Sequence, residues 1–173
     1  SMDGHGDLAF LGNPSPRYNF GFDFGFRWKG FDFSAFFQGV GKRKMLLDAS
    51  AVYPFKDTGR MPSTIHRDYW REDNLDARFP RPFYGGSHNT LVSSHWVQNC
   101  AYIRLKNLQV GYTLPQSLTK RVAISNARIY FSGQDIWEKT KMWYEYYDPE
   151  NPNNTTFIYP LFRTFTMGLT LTF

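Results

Sequence analysis

The sequence decides its fold at residues 18–28, which read YNFGFDFGFRW. Every even position in this stretch is aromatic, and every odd position is glycine or a polar residue. A repeat of two residues puts alternate side chains on opposite faces only in a β-strand. The stretch therefore predicts a strand with one aromatic face and one polar face.

Alternation of the same kind continues along the chain. Lys29-Gly30 predicts a two-residue turn into a second strand over 31–40. Three more strands are predicted, over 93–114, about 123–137 and 162–173. In the strand over 93–114 the alternation slips by one residue at Lys106-Asn107, which predicts a β-bulge.

The connections between these strands alternate in length. The segments 29–30 and 115–121 are short, whereas 41–92 and 138–160 are long, irregular and rich in turn-forming residues. Strands of about ten residues joined in this way are typical of an antiparallel up-and-down transmembrane β-barrel. We therefore predict an all-β fold with about five barrel strands, tight periplasmic turns and two long extracellular loops.

Five strands are too few to close a barrel in a membrane. Single-chain bacterial barrels begin at eight strands, and an open sheet edge would leave backbone groups unpaired in lipid. We therefore expect these residues to be part of a larger barrel.

Composition excludes several other classes of protein. The formal net charge of +5 comes from scattered basic residues, so no nucleic-acid partner is expected. A single cysteine, Cys100, permits no internal disulfide, and no zinc or cofactor motif is present, so no cofactor is expected. No apolar run reaches the roughly 18 residues of a membrane-spanning helix, and the mean hydropathy is −0.49.

Several motifs together give the chain a family resemblance. It resembles the C-terminal end of SusC/RagA-type TonB-dependent outer-membrane transporters over nearly its whole length. The most specific run reads AYIRLKNLQVGYTLP, at residues 101–115. The other matching pieces are DGHGD at 3–7, LGN at 11–13, PRY at 16–18, KGFDFS at 29–34, FQGVG at 37–41, YW at 69–70, FPR at 79–81, SGQD at 132–135, DPE at 148–150 and the last strand, which ends at Phe173.

The resemblance implies a transporter of the outer membrane. Its barrel would have about 22 strands and an N-terminal plug, and the plug and most of the barrel lie outside these residues. Such transporters import glycans, oligosaccharides or peptides with energy passed on by TonB, and pair with a SusD-like surface lipoprotein. The outer-membrane assembly machinery reads a terminal aromatic strand in this class, which here would be Phe165, Met167, Leu169, Leu171 and Phe173.

Four aromatic residues in the predicted loops are candidate ligand contacts. Trp70, Trp96, Trp143 and Tyr144 could stack on sugar faces at the barrel mouth, because their rings offer a large contact area. Packing within the loops, or a place in the aromatic girdle at the membrane interface, is the alternative interpretation.

Candidate chemistry elsewhere in the sequence is weak. Asp3, His5 and Asp7 have the spacing of a calcium loop but lack its later glutamate, so we expect a turn and no metal site. The loop group of His66, Asp68, Glu72, Asp73 and Asp76 alternates with arginines, which predicts salt bridges rather than catalysis. We expect no enzyme activity, and an inert thiol at Cys100.

A second functional class is compatible with the alternation. In a soluble β-sandwich carbohydrate-binding module, the aromatic faces would form a core between two sheets. The preference for Phe and Tyr on one face and for Gly, Thr, Asn and Arg on the other favours a barrel with a wet interior.

Overall fold

The computed structural model describes residues 9–47, 52–55, 61–84, 88–144, 147–151 and 161–173. Strands dominate these residues, and they form one large and one small sheet. The strands are β1 (Tyr18–Trp28), β2 (Phe31–Gly41), β3 (Lys44–Leu46), β4 (Val97–Asn99), β5 (Tyr102–Thr113), β6 (Asn126–Thr140) and β7 (Thr164–Thr172).

The large sheet has the order β1-β2-β5-β6-β7, and β3 pairs with β4 in the small one. Every pairing is antiparallel, so the predicted all-β antiparallel fold is confirmed. Within the described residues β1 and β7 are edge strands, and the sheet is open rather than closed into a barrel.

Helical structure is short. A single α-helical turn, α1 (Gln116–Thr119), lies between β5 and β6 and continues into a 3₁₀ turn at Lys120–Val122. Other 3₁₀ turns are found at Thr64–Arg67, His88–Thr90 and Ser94–Trp96. In the part of the chain that the structure describes, no helix has the length and apolar character needed to cross a membrane.

The main departure from the predicted elements concerns the strand expected over 93–114. The large-sheet strand begins only at Tyr102, because Val97–Asn99 pairs with Lys44–Leu46 instead. The amide of Cys100 donates to the carbonyl of Arg43 at 2.9 Å, which continues this local pairing. Consequently the segment predicted as a loop over 41–92 contains one short strand, β3. At the other loop, β6 continues to Thr140 because its residues stay paired with β5.

Two local sequence signals are confirmed. Lys29 and Gly30 have φ angles of 47° and 88°, the left-handed conformation that a two-residue hairpin turn of type I′ requires. In β5, Leu105 pairs with Phe37 and Asn107 with Phe36, so Lys106 is an extra residue without a partner in β2. This is the predicted β-bulge.

The register places apolar side chains together on one face of the large sheet. One row across the five strands consists of Phe26, Phe33, Val110, Phe131 and Met167. Four of these five side chains are open to solvent in the described sheet, up to 79% for Met167, and Phe33 is half-buried. We call this surface the apolar face, and its further members are Tyr18, Phe20, Phe22, Phe24, Trp28, Phe31, Ala35, Phe37, Ile103, Leu105, Leu108, Tyr112, Ala127, Ile129, Trp137, Phe165, Leu169 and Leu171.

The opposite surface, which we call the polar face, is held by ionic and close-packed contacts. Arg128 in β6 reaches across β5 to Asp32 in β2, with Nε donating to Oδ1 at 2.9 Å. Its path passes over Gly111, where an added Cβ would collide with both side chains. The glycine is therefore required for a salt bridge that ties three strands together.

A group of charged side chains joins the loop at 147–151 to the polar face. Arg104 is only 4% exposed, and its guanidinium contacts Glu138 in β6 and Asp148 and Glu150 in the loop. Lys106, at the bulge, donates to the same Glu150 at 2.9 Å. We call these five residues the charge cluster. A buried arginine with three carboxylates is stable only while its partners stay in place.

Arg43 fixes the same loop from its other side. Its guanidinium donates to the carbonyl oxygens of Pro149 at 2.8 Å and Asn151 at 3.1 Å, and its Nε donates to Pro14 at 3.0 Å. Three separate segments of the chain thereby meet at one side chain.

Packing on the polar face yields a first testable prediction. The ring of Tyr130 in β6 occupies the space where a Cβ on Gly168 in β7 would lie. We expect Gly168→Ala to lower the free energy of unfolding by about 1–3 kcal/mol, because the ring must move. In a Tyr130→Ser background the same substitution should cost little, since alanine suits a strand better than glycine. Chemical denaturation of the four proteins measures this coupling, and equal costs in both backgrounds would contradict it.

The charge cluster yields a second prediction, on acid stability. Burial acts to raise the pKa of Glu150, but hydrogen bonds from Lys106 and Tyr102 and the charge of Arg104 outweigh it and lower the pKa below its ordinary 4.5. A lowered carboxyl pKa stabilises the fold above the unfolded-state value, and this stabilisation is lost as the pH falls through the lowered pKa.

We therefore expect Glu150→Gln to lower the free energy of unfolding by about 1–3 kcal/mol at pH 7 and to flatten its decline below pH 4.5. Denaturation curves between pH 7 and pH 3 measure both effects. The exposed Glu72→Gln is the matched control and should leave the pH profile unchanged. Parallel profiles for Glu150→Gln and the unaltered protein would show that Glu150 does not stabilise the fold.

Candidate functional site

The loops at one end of the sheet share a hydrophobic core. Its residues come from both long loops and from the small β3–β4 sheet, so these segments fold as one layer. We call it the loop core, and its members are Met45, Leu47, Val52, Tyr53, Phe79, Trp96, Cys100, Met142, Tyr144 and Tyr147.

Trp96 lies near the centre of this layer. It is 2% exposed, and its ring meets the ring of Tyr53 edge-on at a centroid distance of 4.5 Å. Its indole N–H donates to the carbonyl of Asn89 at 3.0 Å. A buried tryptophan with its one donor satisfied is a packing anchor.

The four candidate ligand contacts occupy different environments. Trp96 and Tyr144 are buried in the loop core, and Trp143 is half-buried against the ring of Phe79 at 5.6 Å. Trp70 is 41% exposed and presents its ring at the surface of the loop layer. Ligand contact stays a prediction for all four. Trp70 is the most accessible of them to a ligand, because the other three are buried or half-buried.

Two members of the loop group considered for acid–base chemistry, His66 and Asp68, are engaged in hydrogen bonds with other parts of the loop. The ring of His66 is buried, and its nitrogens meet the amide of Ser63 at 2.9 Å and the carbonyl of Val52 at 3.1 Å. Asp68 accepts a hydrogen bond from Asn74, which lowers the pKa of its carboxyl group. The imidazole therefore serves to hold backbone segments together.

Salt bridges account for only part of the arginines in this loop. Arg71 pairs with Asp73 at 3.2 Å, as the sequence predicts. Arg78 and Arg81 form no salt bridge with any described residue, and both are exposed. Sequence reasoning missed that these two guanidinium groups have no salt-bridge partner among the described residues, because it treated the loop's charges as mutually paired.

Cys100 is fully buried in the loop core. Burial raises the pKa of its thiol to about 11, so the group is neutral at neutral pH. This agrees with the expected inert thiol. The motif of Asp3, His5 and Asp7 lies outside the described residues. Across the residues that are described, no three His, Cys, Asp or Glu side chains come together in a way that could hold a metal ion.

Two arginines with structural roles also went unnoticed in the sequence. In the sequence, Arg43 is one of three consecutive basic residues at 42–44, and Arg104 belongs to the motif at 101–115. Neither position indicates a structural role. Their carbonyl and carboxylate partners lie more than 30 residues away in the chain, apart from the Pro14 contact of Arg43 at a separation of 29 residues. Local patterns carry no information about such distant pairs.

Comparison with known proteins relates the chain to TonB-dependent receptors. No protein-family model matches the chain. "TonB-dependent receptor P3" of Formosa agariphila is 32% identical, over 99% of this chain and 18% of that receptor. "TonB-dependent receptor P26" of the same organism is 26% identical, over 96% of this chain and 18% of that receptor. The chain thus spans about a fifth of the length of these curated relatives.

The fold of the chain is similar to that of a solved transporter structure. The RagAB peptide importer in its open-open state matches with a TM-score of 0.68 and 28% identity, over 92% of this chain and 17% of that one. Its closed-closed state matches with a TM-score of 0.67 at the same identity and coverage. The fold of the chain is therefore similar to that of these proteins over most of its length. The predicted resemblance is confirmed: the chain is related, over nearly its whole length, to one segment of the TonB-dependent receptors.

Proposed function

We propose that this chain forms part of the barrel wall of a TonB-dependent outer-membrane transporter. In this proposal the five strands belong to the C-terminal part of a barrel of about 22 strands, and the apolar face contacts lipid. The polar face lines the interior. The transported ligand enters at the end of the sheet that carries the loop layer.

The distribution of aromatic types on the apolar face is the observation that carries this proposal. Three of its four tyrosine and tryptophan side chains lie at its two ends: Tyr18 toward the loops, and Trp28 and Tyr112 toward the turn at Lys29-Gly30. Between these ends, β1, β2 and β5 carry only Phe, Leu, Ile, Val and small residues on this face, whereas β6 places Trp137 level with Phe22 and Lys139 level with Phe20. Amphipathic rings at both interfaces with a purely apolar band between them are what a membrane barrel displays.

The dimensions of this band fit a bilayer. From Tyr18 to Trp28 the strand rises about 33 Å, at about 3.3 Å per residue. A strand tilt of roughly 40° reduces this to about 25 Å along the membrane normal, the height of the apolar band of outer-membrane barrels. A sandwich core would not need Tyr18, Trp28 and Tyr112 at the two ends of a face that is otherwise rich in Phe and Leu.

The related proteins support a proposal for the partners and cargo of the whole transporter. We propose that the whole transporter imports oligosaccharides or peptides, draws energy from TonB through a plug, and pairs with a SusD-like surface lipoprotein. Two relatives are named as TonB-dependent receptors and the structural neighbour as a peptide importer, which supports this assignment. Loop residues at the mouth would then contact both the cargo and the lipoprotein.

The last strand has a proposed role in assembly. Phe165, Met167, Leu169 and Leu171 lie on the apolar face, and Phe173 follows them with 84% of its side chain exposed. We propose that the outer-membrane assembly machinery recognises this strand.

A pair of neighbouring substitutions tests the lipid contact. In the receptor that carries this sequence, we expect Met167→Arg to lower the stability of the folded protein by up to about 2–4 kcal/mol, depending on depth in the membrane. Thr166→Arg, one residue away on the polar face, is the matched control and should be tolerated. Heat-modifiability on gels and the amount of folded receptor in outer membranes measure the difference.

The soluble alternative makes a different prediction. A β-sandwich module would remain monomeric in buffer without detergent, whereas a lipid-facing sheet should aggregate until detergent covers its apolar face. Equal tolerance of both arginine substitutions, or a monodisperse detergent-free protein, would overturn the proposed function.

A further inference from the structure

The loop layer carries a groove at its surface that the wall function does not use. It has a volume of about 330 Å³ and is lined by Trp70, Arg78, Phe79, Pro80, Arg81 and His95, among others. The groove is shallow and open on one side, and apolar atoms form most of its lining. From its residues we infer that it binds an anionic oligosaccharide, one that carries carboxylate or sulfate groups; this inference rests on the proposed function and specifies its cargo.

The floor of the groove is held rigidly. The amide of Trp70 donates to the carbonyl of Phe79 at 2.8 Å, and the amide of Phe79 donates to Asp68 at 3.0 Å. Phe79 is 3% exposed and packs against Trp96 in the loop core. The exposed indole of Trp70 is therefore fixed next to a buried anchor.

Arg78 and Arg81 form a cationic rim along the groove, and neighbouring residues hold both of them in place. The Arg78 guanidinium carbon lies 4.9 Å from the centre of the Trp143 ring, and that of Arg81 lies 5.8 Å from the centre of the Phe83 ring. Asn89 donates to the carbonyl of Arg81 at 2.7 Å. Stacking on a ring leaves the planar N–H groups of a guanidinium available for a further acceptor.

Backbone restraint lowers the cost of binding at this rim. Residues 78–82 read RFPRP, so two prolines fix φ within the segment and favour extended conformations for the residues before them. A segment that is already ordered loses little entropy when a ligand binds.

The charge of the groove selects the ligand's sign. Arg78 and Arg81 have no salt-bridge partner among the described residues, and His95 adds a third nitrogen-bearing group. Guanidinium groups bind carboxylate and sulfate oxygens with two parallel hydrogen bonds, which are stronger than neutral ones. A neutral ligand would leave the guanidinium groups of Arg78 and Arg81 without an anionic partner.

The shape of the groove favours a sugar over a peptide. A sugar ring presents a flat face of C–H groups that fits a single exposed indole, with acidic substituents reaching outward to the arginines. Apolar peptide side chains instead require pockets deep enough to bury them. A shallow groove with one flat aromatic surface and a cationic edge matches the first case.

The experiment is calorimetric titration of the purified full-length receptor in detergent. The probes are an oligogalacturonate hexamer, a sulfated galactan tetrasaccharide, the carboxyl-reduced neutral form of the hexamer and a glutamate-rich hexapeptide. We expect at least one anionic saccharide to bind, with an affinity that falls as salt is added, and the neutral form to bind at least tenfold more weakly.

Variants at the surface locate the site. Arg78→Gln and Arg81→Gln should each weaken binding of the anionic saccharide about tenfold, since each removes a charge-assisted contact. Trp70→Ala should weaken it as well. Arg67→Gln, an exposed arginine of the same loop outside the groove, is the matched control and should change nothing.

Two outcomes would overturn the inference. One is binding of the hexapeptide, but of no saccharide, in a way that depends on Arg78 and Arg81. The other is failure of all four probes to show binding that depends on these arginines. Either result would leave the proposed function standing if the same preparation is detergent-dependent and sensitive to Met167→Arg. A receptor that is monomeric without detergent would instead remove the proposed function itself.

Discussion

The whole structure depends on keeping one register across five antiparallel strands. Because side chains alternate every two residues, a slip of one position in any pairing would move that strand's apolar set to the polar face. The register is irregular at Lys106, which has no partner in β2. On its other side Lys106 lies opposite two residues of β6 that are also unpaired, Asp135 and Ile136. The alternation therefore resumes on the same face on both sides of the bulge, and the apolar face stays continuous.

The bulge also links the large sheet to the loop layer. Lys106 is free to reach Asp135 and Glu150 because it has no place in the β2 pairing. Next to it, Arg104 binds carboxylates from β6 and from the loop. An irregularity that would weaken a regular sheet thus supplies Lys106, one of the two cations that hold the loop layer over one end of the sheet.

The sequence predicted correctly those elements that depend only on residues close together in the chain. The strand over 18–28, the turn at Lys29-Gly30 and the bulge each depend on neighbouring residues, and the structure agrees with all three. The loop layer was not predictable in this way. Its short strands pair residues about 50 positions apart, and the burial of Trp96 depends on contacts from several segments. Composition could suggest that the loop aromatics mattered, but not which of them are buried.

The loop core constrains how the loop layer would bind the proposed anionic oligosaccharide. A loop of some fifty residues could in principle be mobile, and binding would then have to order it at a large entropic cost. Here Phe79 and Trp96 anchor the loop from inside, while Arg43 and Arg104 fix the neighbouring one through backbone and carboxylate groups. The exposed Trp70, Arg78 and Arg81 thus lie on a fixed support. Affinity at such a surface depends on the chemistry of its few exposed side chains, which is why charge, rather than size, should decide what binds.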